Sequence, residues 1–153
     1  MGKRRKQNSA SLAFTALSVL GGLAAIIMLF LPAVVIKDGK TTYTGLQVVF
    51  GYAESVGSIK VEIFKFSFMN LLPYLLALGG LVFSVLGAAG RGSKLGAIIA
   101  AAAFIAAGVF FIMSNTFCDY LLGKDVLDIA YGAIVAAVAS FVAGACQLFK
   151  AIF

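Results

Sequence analysis

The sequence predicts an all-α transmembrane four-helix bundle with a small extracytoplasmic antiparallel β-sheet in its first outer loop. Three observations carry this prediction. Residues 12–36, 66–90, 95–118 and 129–149 contain no Asp, Glu, Lys or Arg. Each supplies the roughly 20 apolar residues that cross a hydrocarbon core about 30 Å thick. Lysine and arginine gather at alternate connections, and residues 33–66 between the first two stretches read as strands. Lipid offers backbone groups no water to bond, so the four stretches are expected as helices.

Composition confines the chain to one integral membrane domain, residues 1–153. Hydrophobic residues make up 62 % of it and charged ones 12 %, against about 25 % charge in soluble domains. No separate soluble domain fits beside four spans. The net charge of +6 is unevenly laid out. Lys3, Arg4, Arg5, Lys6, Arg91, Lys94 and Lys150 occupy the N-terminus, the 91–94 turn and the C-terminus, with no acid among them. The loops 37–65 and 119–128 hold five basic and six acidic residues. The positive-inside rule then places both termini in the cytoplasm of a four-pass protein of the cell (plasma) membrane. The basic N-terminus reads as a topogenic signal that also meets anionic headgroups. Membrane lipids are expected partners and nucleic acid is not. The first apolar run is too long for a signal-peptide core of about 7–15 residues, so it is read as an uncleaved helix. Met1-Gly2 opens like a myristoylation site, but Lys6 stands where Ser or Thr is needed.

The first helix spans about residues 12–31 and stops at Pro32, which cannot donate a helix hydrogen bond. Ala33 to Lys37 reads as a strand, Asp38-Gly39 as a hairpin turn and Lys40 to Thr44 as the return strand. Gly45 to Tyr52 is apolar and is expected as a short interfacial helix. In Ser58 to Lys65, Ile59, Val61 and Ile63 share one face at period two, which marks a strand expected to pair with the hairpin. The second helix spans about 68–90, with Pro73 in its first turns. The short 91–94 turn makes the third helix, about 95–114, its antiparallel neighbour. A short loop with Asp119, Asp125 and Asp128 precedes the fourth helix, about 129–149. Asp125 and Asp128 are expected to favour that helix's N-terminus.

Small residues indicate how the helices meet. Gly132, Ala136, Ser140 and Gly144 recur every four positions in the last helix. Such a ridge lets backbones approach closely in lipid, inside the bundle or, as the alternative, at a self-association face.

The chain has no histidine and no tryptophan. Proton relays and ion pathways place ionisable groups within the membrane, and the spans hold only Tyr and Cys. Phosphate loops, zinc spacings and a catalytic triad are missing, so no enzyme activity, cofactor or metal is expected. The three aspartates lack the ligand density of a calcium loop and read as solvated charges. Cys118 and Cys146 fall near opposite membrane faces, too far apart to pair. They read as small apolar fillers, with a crosslink between chains through Cys118 as the alternative.

A helix ending in Leu31-Pro32, then strands, Tyr43-Thr44-Gly45-Leu46, a strand from Ile59 to Phe64 and three further helices together resemble the architecture of claudins. Claudins continue Gly-Leu with Trp and carry a cysteine pair between two strands. Here Gln47 follows, and neither feature is present. The resemblance implies an outer sheet on a left-handed four-helix bundle, acting through lateral or surface contacts. The expected function is that of a non-enzymatic membrane interaction or accessory protein, with a membrane-protein partner or a homo-oligomer. Its candidate contact residues are Tyr43, Gly45, Leu46 and an exposed apolar edge of Val48, Val49 and Phe50. The alternative is a small lipid- or substrate-handling subunit of a transport assembly.

Overall fold

A computed structural model of the chain describes residues 9–89, 93–118 and 120–153, with Lys124 described without its side chain. Met1-Gly2, the basic run Lys3 to Lys6, the turn residues Gly90, Arg91 and Gly92, and Asp119 lie outside the described residues.

The helices are α1 (Ser9–Ile27), α2 (Gly45–Phe50), α3 (Phe68–Ala88), α4 (Lys94–Ile112) and α5 (Tyr131–Ile152). All but α2 are long and apolar enough to cross a membrane. α1 tightens into a 3-10 turn at Met28–Phe30 before Pro32 ends it. Ser67 and Ser93 cap α3 and α4 by accepting the backbone N–H of Asn70 (3.3 Å) and Gly96 (3.1 Å). Each removes one of the unpaired donors that open a helix. Pro73 sits inside α3, in its second turn.

The four long helices form a ring in which α1 packs on α3 and α5, and α4 packs on the same two. Phe14 stacks on Phe149 with ring centroids 5.9 Å apart, so the start of α1 lies beside the end of α5. Both ends of the described chain therefore share the end of the bundle opposite the sheets.

The interior of this bundle is small rather than greasy. Ala25, Ala77, Ala100, Ala107, Ala136 and Ala143 are fully buried, whereas Leu20, Leu78, Val138 and Val142 point outward. Water would expel such a surface, while hydrocarbon solvates it, so close packing of small residues is what holds the helices together. Phe104 of α4 fills the centre. A Cβ on Gly80 of α3 would lie 2.9 Å from its ring, and one on Gly22 of α1 3.1 Å from it. Glycine on two neighbouring helices is what admits the ring. The pattern repeats at Gly108, where a Cβ would lie 2.8 Å from the ring of Phe141. The four-residue ridge of α5 is spent within the bundle. Gly144 faces Ile105 and Phe104, Gly132 faces the Pro32 carbonyl, and Ala136 and Ser140 are completely buried. Those residues are not free for a second copy of the chain.

Polar side chains join the helices near the end opposite the sheets. Ser18 donates to the Phe14 carbonyl and lies 3.2 Å from the Ala143 carbonyl of α5. Gln147, 1 % exposed, donates from Nε2 to Ser84 Oγ at 2.7 Å, which ties α5 to α3 across the ring.

At the other end the described residues form five strands: β1 (Pro32–Ile36), β2 (Thr42–Thr44), β3 (Tyr52–Val56), β4 (Ile59–Phe64) and β5 (Leu127–Ile129). β1 is central in an antiparallel sheet of order β2-β1-β5, and β3 pairs with β4 in a second antiparallel sheet. The Asp38-Gly39 turn forms as the sequence indicates. Gly39 takes φ 76°, and Asp38 Oδ1 accepts the Lys40 N–H at 2.9 Å.

The pairing of β4 differs from expectation. It joins β3 through the two-residue Gly57-Ser58 turn, with Val56 opposite Ile59, and not the β1–β2 hairpin. A local hairpin closes at little entropic cost, and the free edge of β1 is taken by β5 with Val34 opposite Ile129. The sheet is thus built from both loops rather than the first alone. β5 also moves the start of the last helix to Tyr131. Asp128 lies in that strand and accepts the Ile129 N–H at 2.9 Å. It does not cap α5, whose first turn carries no acid.

Candidate functional site

The features that set this chain apart from a plain bundle lie at the sheet end. Its core is an aromatic cluster. Tyr43 of β2 meets Phe64 of β4 edge-on at 4.8 Å, and Tyr120 lies 5.0 Å from Phe64 and 6.1 Å from Tyr43. Val34, Val48, Cys118 and Leu127 complete it. Edge-to-face rings add to the simple burial of their area. A bridge between Phe64 and Tyr120, with the Leu121 N–H on the Ile63 carbonyl at 3.0 Å, fastens β4 to the second loop. Burial, reinforced by the Tyr120 hydroxyl and by the negative charge of Glu54, pushes the Tyr43 hydroxyl up to about 12. The neutral phenol is the form this packing favours.

α2 seats the cluster on the bundle. Thr44 and Gln47 form a reciprocal capping box, in which the Thr44 N–H meets Gln47 Oε1 at 2.9 Å and the Gln47 N–H meets Thr44 Oγ1. A Thr-x-x-Gln spacing signals such a helix start. Gly45 lies against the Tyr74 hydroxyl, where a Cβ would approach to 2.6 Å, and its N–H bonds the Leu31 carbonyl. Gly51 ends α2 at φ 94°, a conformation open to glycine. The Ser67 N–H then returns to the Val49 carbonyl at 2.9 Å.

This seating corrects the expected contact edge. Val48 and Val49 are 2 % and 1 % exposed and face inward, because α2 lies flat between the sheet core and α3. Tyr43 and Gly45 are buried too, and Leu46 is half-buried. Of the six candidates only Phe50 is exposed, with its ring 6.5 Å from that of Phe66.

The surface that does project is the β3–β4 hairpin. Residues 53–60 are all exposed, and the strands end in the paired apolar residues Val56 and Ile59, each about two-thirds exposed. Gly57 at φ 67° makes the tight turn between them. Leu121 and Leu122 are exposed as well. The run Tyr52 to Val56 lacks a clean alternation, which is why the strand escapes a sequence reading. Val56-Gly57-Ser58-Ile59 was its one legible signal.

Asp125 and Lys37 line an open pocket of about 210 Å³ with Asn115 and Thr116. Asp125 and Asp128 are exposed, and no three His, Cys, Asp or Glu side chains converge among the described residues. Cys118 is buried and donates to the Ser114 carbonyl at 3.2 Å, so its thiol is enclosed and not presented to another chain. No protein-family model, curated protein or solved structure matches the chain, so its function is read from this geometry.

Proposed function

We propose that the protein is a non-enzymatic membrane accessory protein that binds another membrane protein through the β3–β4 hairpin. In this reading the hairpin stands on the extracytoplasmic side of the cell membrane and both termini are cytoplasmic, in keeping with the distribution of Lys and Arg. The observation that carries it is the hairpin itself. A two-stranded hairpin exposed along residues 53–60, with Val56 and Ile59 at its tip, is marginal in water by itself. An open strand edge and an apolar tip are what a docking partner covers. Phe50 and Phe66 suit the membrane interface, where aromatic rings concentrate. The order of elements remains similar to that of claudins, which fits action through surface contacts. Phe104 filling the bundle centre leaves a lipid- or substrate-handling role little room at that level.

Photocrosslinking residues placed at Val56 and Ile59, in native membranes, test the proposal. A discrete adduct is expected, absent when the same residue is placed at lipid-facing Val138. Identical, diffuse labelling from all three positions would remove the basis for the hairpin as a docking element.

A further inference from the structure

Where the sheet end meets the bundle, two buried polar atoms have no partner. They are Oδ1 of Asn70, in the first turn of α3, and Oγ of Ser114, in the turn that follows α4. Both residues are more than nine-tenths buried. Leaving such an atom unpaired is costly, and native proteins rarely do so. Exchanging the amide oxygen and nitrogen of Asn70 does not help. Its Nδ2 now points to Cys118 Sγ at 3.5 Å, so either orientation leaves one end of the amide unmatched.

Both residues line the same cavity, of about 10 Å³, together with Tyr74, Gly45, Val49 and Ala133. The Tyr74 hydroxyl lies against the Gly45 Cα in this wall. We propose that this cavity binds a single structural water, which donates to Asn70 Oδ1 and accepts from the Ser114 hydroxyl, with the Tyr74 hydroxyl as a further partner in the same wall. The volume decides the class of ligand. Space of roughly 10–15 Å³ holds one water and nothing larger, and a buried water needs two to four polar partners. A cation is disfavoured because the wall offers an amide and hydroxyls but no carboxylate, which would leave a bare charge buried.

The water would join three segments distant in sequence: α3 through Asn70 and Tyr74, the turn after α4 through Ser114, and α2, whose Gly45 faces the Tyr74 hydroxyl. It fixes the seat of α2 on the bundle. This goes beyond the docking proposal and does not depend on it.

The test uses the full chain in detergent or nanodiscs. A density map at about 2 Å is expected to show one isolated peak within hydrogen-bonding distance of Asn70 Oδ1 and Ser114 Oγ. Melting of Ser114→Ala, Asn70→Leu and the double variant gives a second readout. With water present, each single variant melts about 2–6 °C lower, and the double loses less than the sum because both act on one water. An empty cavity in the map overturns the proposal. So do single variants that melt higher than the parent, since removing a truly orphaned polar group is stabilising. If a variant fails to fold, the map of the unaltered protein decides.

Discussion

Replacing Gly132 by Ala puts one methyl group where the first turn of α5 meets β1. The new Cβ would overlap the Pro32 carbonyl oxygen and lie 3.1 Å from the Pro32 carbonyl carbon and 3.3 Å from that of Leu31. These are backbone atoms, so no side chain can rotate out of the way. Relief requires β1 to move from α5 by roughly 1 Å, since non-bonded carbons prefer about 3.5–4.0 Å. That movement pulls on the hydrogen bond from the Ala130 N–H to the Ala33 carbonyl, now 3.0 Å, and on the β1–β5 pairing. Overpacking costs about 1–3 kcal/mol, and a weakened buried backbone bond adds about 1 kcal/mol. The gain of Ala over Gly in a helix returns at most about 1 kcal/mol. The net loss is about 1–3 kcal/mol, or roughly 2–12 °C in Tm for a chain of this size. A thiol-reactive dye suits the measurement, because both cysteines are buried until the protein unfolds. Gly79→Ala is the control: nothing lies within 4 Å of its Cβ position, so its Tm stays level or rises slightly. If Gly132→Ala melts together with Gly79→Ala, the close approach of β1 to α5 is not what seats the sheet.

Two further perturbations probe the same architecture. The Tyr43 hydroxyl is raised from 10.0 to about 12 in the folded protein, so its contribution is complete below pH 10 and is lost as pH climbs towards 12. The sheet end should therefore loosen between these values by on the order of 2 kcal/mol, seen as a falling Tm. Tyr43→Phe should flatten that part of the profile, and an unchanged slope would assign the alkaline transition to other groups. Gln147→Leu removes the 2.7 Å bond to Ser84 and should cost about 1 kcal/mol, within the range for buried polar contacts between membrane helices. Ser84→Ala added to it should cost little more, and fully additive losses would mean that the pair does not interact.

The amount legible in the sequence differs sharply between bundle and sheet end. Each spanning helix is announced within its own residues by a long uncharged stretch, and α1, α3 and α4 also by Pro32, Ser67 and Ser93 at a border. The Asp38-Gly39 turn and the period-two pattern of Ile59, Val61 and Ile63 are equally local signals. The Thr44–Gln47 capping box was readable too, and it places the start of α2 to the residue. Strand partners are another matter. Nothing in Ile59 to Phe64 says whether it meets Lys40 to Thr44 or Tyr52 to Val56, because both are short and both lie nearby. Ile129 looks like the opening of an apolar helix, with Leu127 and Asp128 in the loop before it, until β1 presents an open edge to all three.

Four apolar helices, the serine caps of α3 and α4, the Asp38-Gly39 turn and the small residues spaced to pack are all written into the chain locally. Each of these depends on properties repeated within one segment. It takes the packed fold to bury Val48 and Val49 of α2, to spend the α5 ridge on Pro32, Phe104 and Ile105, and to leave Val56 and Ile59 exposed at a hairpin tip. Facing direction is a property of pairs of segments. An apolar residue in a chain this apolar carries no mark of whether protein, lipid or a partner will cover it.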